Sequence, residues 1–295
     1  MNQSRQRGIA LILVLWILVL VTVTTGAYAL MARMDQLEAN QLLSGTQARL
    51  WAEAGINLAA ISLGDPDDAT RIVPDGRSYE QFIDGVLIET RASDERGKLD
   101  LNNADEITLA TLFTNNGLEA DQAETLAAAV MDWRDDDEAE RVNGAELESY
   151  EAAGLANAPA NRNFMMVEEL LQVMGMNWEL FQRIEPGLSV YSGADLPMIG
   201  YAGAEALLAI PDITWEEAVN FVENRHSQQP EDMVDVTLPN GQSAMAQDRG
   251  VTYSIQVKAT MPNGVWEQID ATIRLGGSPS GQPFRVLRWR EGYHY

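Results

Sequence analysis

Residues 8–31 read GIALILVLWILVLVTVTTGAYALM, and the architecture of the whole chain follows from how this stretch is read. From Ile9 to Met31 there is no charged residue and no proline. At about 1.5 Å of rise per residue, roughly 20 such residues cross the hydrocarbon core of a bilayer. Residues 9–31 are therefore read as a transmembrane helix. Arg5 and Arg7 lie just before it. By the positive-inside rule they keep the N-terminus in the cytoplasm and send the body to the far side of the membrane. Working outward, residues 32–63 contain no proline, and Leu50, Ala54, Leu58 and Ile61 recur on one helical face, expected to lie against the body. Gly64-Asp65-Pro66-Asp67 ends the pattern. An uninterrupted helix from Ile9 to Leu63 would be roughly 80 Å long.

Three readings of the N-terminus compete. A cleaved secretory signal would have an apolar core of about 7–15 residues followed by a small-x-small cleavage site. A plain uncleaved anchor needs only the apolar run. The third reading rests on Gly8, which stands between a short basic leader (residues 1–8) and the apolar segment. That junction resembles a type IV prepilin signal, and this reading is favoured. The resemblance implies cleavage by a prepilin peptidase between Gly8 and Ile9, with the apolar helix kept on the mature protein. Pilin-like subunits usually carry glutamate at the fifth mature residue, where it is thought to pair with a neighbour's amino terminus. Counted from Ile9, that position is Leu13. A buried charge without a partner would cost several kcal/mol, so an apolar residue suits a subunit with no neighbour beyond it. A plain anchor would also place a leucine there.

The formal net charge is −24, and no acidic residue precedes Asp35, so the body carries all the acidity. Such a body repels phosphate backbones and anionic lipid, and attracts divalent cations and basic partner faces. The chain has no cysteine, which removes disulfides, thiolate metal sites and cysteine nucleophiles.

In the body, Asp84-Gly85 marks a hairpin turn, followed by Val86, Ile88, Thr90 and Ala92 alternating with Leu87, Glu89 and Arg91. Near the C-terminus Tyr253, Ile255, Val257 and Ala259 alternate in the same way, Asn263-Gly264 turns the chain, and Ile269, Ala271 and Ile273 continue. A Gly/Ser/Pro-rich loop at 276–283 precedes a last strand at 284–290. One antiparallel sheet packed on the second half of the long helix is expected. Between them the pattern is helical. Asn103 and Glu106 read as a cap, with Ile107, Leu109, Leu112 and Phe113 behind it. Ala123, Leu126, Ala127, Val130 and Met131 form a stripe. A helix–glycine–helix unit spans 167–184 around Gly175, and Thr214 to Glu217 is a capping box before Ala218, Phe221 and Val222. The expected organisation is α+β. A leader (1–8) and transmembrane helix (9–31) lead into a first body segment (32–98). A large inserted helical domain with helix-hairpin-helix-like units (99–228) follows, and strands (229–295) complete the sheet.

Two function classes are weighed against an assembly role. For an enzyme, the two histidines, His226 and His294, sit in no nucleophile–base or zinc-type arrangement and read as surface residues. For a membrane-anchored DNA-binding or uptake protein, the helix–glycine–helix units would need lysines and arginines to hold phosphates. The strongly acidic surroundings speak for packing units and no nucleic acid.

Four elements carry a wider resemblance: the Gly8/Ile9 junction with Leu13, DERGKLDLNNAD at 94–105, MDWRDDDEAERVNGAELESY at 131–150, and MMVEELLQVMGMNWELFQRIEPGLSVYSG at 165–193. Together they resemble the minor pseudopilin family GspK (general secretion pathway protein K) of type II secretion systems. That resemblance implies a non-catalytic subunit at the tip of a periplasmic pseudopilus, initiating or capping the fibre. It implies the minor pseudopilins GspI and GspJ and the major pseudopilin GspG as partners, processing by the prepilin peptidase, and N-methylation at Ile9. The anchor would lie in the inner membrane with the body in the periplasm. The family's asparagine-rich segment before its last helical unit is replaced here by residues 195–202, DLPMIGYA, and the disulfide of some relatives is absent.

The acidic run from Asp132 to Glu148 holds enough carboxylates for a hard cation, which takes six to eight oxygens. It is not an EF-hand, because Glu140 stands where that loop needs glycine. A solvated acidic loop is the plainer reading of the residues. The family resemblance implies structural calcium, with Asp135, Asp137, Glu146 and Glu148 as the expected ligands.

Overall fold

The computed structural model describes residues 4–67, 70–228, 235–245, 249–276 and 283–292. Helix α1 (Ser4–Leu63) runs 60 residues without a break. The described helix has a window of mean hydropathy 2.5, long and apolar enough to cross a membrane. Thr22, Thr24 and Thr25 sit in this apolar part, and each hydroxyl donates to a carbonyl three or four residues back, at 2.7–3.1 Å. Such back-bonding is what a hydroxyl needs where no water can reach it, as in a hydrocarbon layer. The helix ends where Gly64 N donates to Ala60 O and Ile61 O, both at 3.1 Å, before Asp65 and Pro66 turn the chain.

The second half of α1 lies on the sheet, but not with the expected face. Leu50, Leu58 and Ile61 are exposed, whereas Ala48, Ala52, Ile56, Ala59, Ala60 and Leu63 are buried. The sheet-facing stripe is made mostly of small residues because helix and sheet approach closely. An added Cβ on Gly55 would lie 2.5 Å from Val257 Cγ1 and 3.1 Å from Ile88 Cγ2.

The sheet has five antiparallel strands. In spatial order they are β1 (Asp75–Ile83), β2 (Val86–Asp94), β7 (Thr252–Thr260), β8 (Trp266–Leu275) and β9 (Phe284–Glu291). Asp84 (φ +51°) and Gly85 (φ +81°) form the β1–β2 turn, as two consecutive positive φ values in a tight hairpin require. Ile88, Ala92, Tyr253, Ile255, Val257, Ile269 and Ile273 point at α1 and make one core with it. Thr272, on the opposite face of β8, is also buried, because the helical region covers that side.

The helical region comprises α2 (Glu106–Asn115), α3 (Ala120–Arg134), α4 (Leu147–Ala152), α5 (Trp178–Ile184), α6 (Ala204–Leu207) and α7 (Trp215–Ser227). Short parallel strands β3 (Leu99–Asp100) and β4 (Leu188–Ser189) clasp it, and β5 (Asp235–Thr237) and β6 (Ser243–Met245) form a small ribbon. These helices have their own apolar core, distinct from that under the sheet. The capping box Thr214–Glu217 forms as expected. Helix α2 is capped differently: Asp105, not Asn103, accepts from Thr108 N at 2.7 Å. Ile107 is exposed, while Leu109, Leu112 and Phe113 are buried. The first arm of the helix–glycine–helix unit, Val167–Gln172, is a 3-10 helix, and Gly175 (φ +92°) turns the chain into α5. Both arms bury side chains in the helical core, Val167, Leu170, Leu180 and Phe181 among them. The expected boundary after residue 228 adjoins a stretch outside the described residues, and His294 and residues 1–3 of the leader also lie outside them.

Three ion-pair clusters, two buried and one half-buried, fasten the helices to the sheet. Arg225 of α7 is fully buried, with Nε 3.5 Å from Asp75 Oδ2 and Nη1 donating to Ile199 O at 2.8 Å. Burial pulls its guanidinium down to about 10. Arg77 holds the same carboxylate at 2.9 Å. His226 is only half-exposed, with Nε2 3.0 Å from Asp75 O, so it belongs to this cluster and is not the free surface residue expected. Glu95 is bound by Lys98 at 2.7 Å, Ser254 at 2.5 Å and Ser189. Arg288 and Arg290 of β9 both reach Glu168.

Candidate functional site

Leaving α3, the chain makes an acidic loop, residues 135–146, that returns to the helix it left. Arg134 ends α3 with its guanidinium on Leu101 O and Ala104 O, which fixes the helix end against the start of the helical region. The loop closes on Asp132, a fully buried residue whose Oδ2 accepts from Ala145 N at 2.8 Å and Arg141 N at 3.3 Å. Gly144 makes this closure possible, since a Cβ there would lie 2.0 Å from Asp132 Oδ2. Arg141 folds back over the loop, with Nε 3.2 Å from Asp132 Oδ1 and Nη2 3.1 Å from Asp135 Oδ2. Glu140 accepts from Glu146 N at 3.3 Å and Ser149 Oγ at 2.5 Å. Beneath the loop Trp133 packs on Tyr150 and Phe164, with ring centroids 6.3 and 6.2 Å away.

This packing leaves carboxylate and amide oxygens without hydrogen bonds, Asp132 Oδ1 keeping only its ion pair with Arg141. Asp132 Oδ1, Asp135 Oδ1, Glu146 Oε1 and Asn161 Oδ1 are buried and have no hydrogen bond. Glu146 is only 6% exposed. Burial first, and then the charges of Asp132, Asp135, Asp137 and Glu138, push its carboxyl up to about 7. Burial also raises the Asp132 carboxyl. Unsatisfied buried acceptors are costly and demand a partner. Carboxylates plus one amide oxygen are the donor set of a hard cation. Among the described residues no three acidic or histidine side chains are yet drawn together around one point. The single cation of the loop, Arg141, stands between Asp132 and Asp135.

Of the four expected ligands, Asp135 and Glu146 lie in this loop closure with buried free oxygens. Asp137 is exposed, its Oδ1 accepting from Ala139 N at 2.8 Å. Glu148 is exposed in the first turn of α4. Two residues outside the expected set join them. Asp132 sits one turn before Asp135, a spacing that puts both on one side of the helix end. Asn161 (φ +47°), whose backbone N donates to Trp133 O at 3.0 Å, comes from a distant loop and leaves no local trace in the sequence. At the other end of the molecule Leu13 lies on the exposed surface of α1. Gly8 and Ile9 are in its first turns, and their side chains lie outside those described.

Residues 86–193, which hold this loop, match the family model described as Type II secretion system (T2SS), protein K. Over this segment the chain is similar to the protein K family. Among relatives, the type II secretion system protein K of Klebsiella pneumoniae is 35% identical, the match covering 62% of each chain. That of Dickeya chrysanthemi is 25% identical over 76% of this chain and 78% of its own length. The matches to the Klebsiella and Pectobacterium carotovorum K proteins thus span 62% of those relatives' length. A chain in the crystal structure of the GspK-GspI-GspJ complex from the enterotoxigenic Escherichia coli Type 2 Secretion System shares the fold. Its TM-score is 0.57 at 17% identity, covering 87% of this chain and all of that one. This chain joins a long apolar helix, an antiparallel sheet and a helical region, the α+β organisation that the sequence pattern leads one to expect.

Proposed function

We propose that this chain is a minor pseudopilin at the tip of a type II secretion pseudopilus, where it initiates or caps the fibre and performs no catalysis. The observation that carries this reading is the helical region seated on the far side of the sheet from α1, with a core of its own. In a fibre whose subunits stack through their helices, so bulky an addition leaves little room for another subunit above it. Leu13 in place of a charged residue fits the same end position, since nothing beyond it would pair with a glutamate. Counterparts of GspI and GspJ are the proposed neighbours, supported by the complex that contains the similar fold. A GspG-type major subunit lies below them. Residues 9–31 anchor the chain in the inner membrane before assembly, with the body in the periplasm, and prepilin peptidase cuts after Gly8, with methylation of Ile9.

The acidic loop is proposed to hold structural calcium through Asp135, Asp137 and Glu146, with Asp132 and Asn161 contributing and Glu148 at its margin. The ion would neutralise the loop; Asp132, through Ala145 N, and Arg134, through the carbonyls it holds, set the loop's position whether or not the ion is present.

Co-expression with the I- and J-type minor pseudopilins tests the partners and Leu13→Glu tests the position. The expected results are a stable ternary complex with the wild-type chain, and loss of fibre assembly and secretion with the variant. No complex, or full secretion by Leu13→Glu, would contradict the tip reading.

A further inference from the structure

The insert-facing side of β8 and β9 carries a row of arginines, and they are treated unequally. Arg288 and Arg290 are neutralised by Glu168 and Glu185 of the helical region, at distances up to 3.9 Å. Arg274 and Arg285 stand directly opposite each other in the β8–β9 register, with Thr252 of β7 opposite Arg274 on the other side. Like charges directly across an antiparallel pair are destabilising. Yet among the described residues neither Arg274 nor Arg285 has a hydrogen bond or an ion pair, and both are exposed. Residues 277–282, which join the two strands, contain no acidic side chain. In a chain of net charge −24, two adjacent unmatched cations are anomalous.

They line one wall of a cleft of about 350 Å³ between sheet and helical region, and Asn103, Asn163 and Tyr191 line the other. The one acid in the lining, Asp100, is only 1% exposed, and its two oxygens already accept from Asn102 N at 2.8 Å and Gly193 N at 2.7 Å. Asn102 is closed off by a double hydrogen bond with Phe164, at 3.0 and 2.7 Å. The side-chain amides of Asn103 and Asn163 make no hydrogen bond among the described residues. The cleft therefore brings two guanidinium groups and two free amides into one lining.

We propose that this cleft binds a carboxylate presented by a protein segment, an aspartate or glutamate of a partner gripped between Arg274 and Arg285. The planar guanidinium matches a carboxylate bidentately. Asn103 and Asn163 are placed to pair with the backbone of the segment that carries it. An extended polyanion is disfavoured by the acidic body around the cleft. The binding chemistry is local and does not depend on the position of the chain in a fibre.

The test is calorimetric titration of the full chain in detergent with the blocked tetrapeptide acetyl-Gly-Asp-Glu-Gly-amide, and separately with inorganic phosphate. Expected are saturable peptide binding that weakens with salt and a loss of tenfold or more in affinity in Arg274→Gln/Arg285→Gln. The control Arg183→Gln, an exposed arginine on α5, should bind as wild type. The double variant should melt no lower than wild type, because it removes a repulsion, so lost binding cannot be put down to unfolding. Absence of saturable binding to the wild type, unchanged binding by the double variant, or phosphate binding as tightly as the peptide would overturn the proposal.

Discussion

At the scale of single residues, Glu146 is the group whose chemistry can be read most directly. Its carboxyl is pushed up to about 7 by burial and by neighbouring carboxylates. In the metal-free folded state it holds its proton at a pH where the unfolded chain has lost it. Such a group adds stability at low pH that is lost as the pH rises from the unfolded value through about 7. A tenfold change in proton affinity is worth about 1.4 kcal/mol, so the loss is on the order of 3 kcal/mol. In chelator, Glu146→Gln should therefore melt above wild type at pH 8 and level with it at pH 4. Added calcium should raise the wild-type melting temperature at pH 8 and leave Glu146→Gln nearly unmoved, as binding to the native state alone requires. Thermal scans at the two pH values, with and without calcium, check both parts. Asp135 and Glu146 are legible as candidates because they belong to a dense acidic run. Asn161 is not, since its place beside them depends on a loop that only the tertiary fold brings back to Trp133.

At the scale of elements, α1 shows why apolar spacing alone points to the wrong face. It selects the large residues Leu50, Leu58 and Ile61, yet these are exposed. The face that meets the sheet is Ala48, Ala52, Gly55, Ala59 and Ala60, with Ile56 and Leu63. Periodicity marks where apolar residues recur, whereas closeness of approach decides which of two apolar faces is buried, and only the small one lets β7 come near. Gly55→Ala places a methyl 2.5 Å from Val257 Cγ1. Overpacking of this kind costs about 1–3 kcal/mol, so the variant should show a lower urea midpoint with an unchanged slope. Strands β2, β7, β8 and β9 are readable because alternation and the Asp84-Gly85 and Asn263-Gly264 turns agree, whereas the short strands β3 to β6 are too brief to show an alternation and are not expected from the sequence. The cap of α2 lies two residues from its expected place because Asn103 and Asp105 are both competent caps, and the backbone turn at Asp100 selects Asp105.

At the scale of the whole molecule, two apolar cores are joined through buried charges. Asp75 of β1 serves Arg225 and His226 of α7 as well as Arg77 of its own strand, so it is the keystone between sheet and helices. Removing one partner of a buried pair costs about 3–5 kcal/mol because a charge is left stranded. Asp75→Asn should lower the melting temperature and split a single transition into two, with the helical region loosening first; differential scanning calorimetry reads this. On the proposed tip role, such a joint keeps the body rigid at the end of the long helix α1. The state of the N-terminus bears most directly on that central claim. Intact mass and N-terminal sequence should be determined for the membrane-extracted chain from cells with and without prepilin peptidase. The account predicts a mature chain beginning at methylated Ile9, and only where the peptidase is present. An intact Met1 in both strains, or a start beyond residue 26, would contradict it.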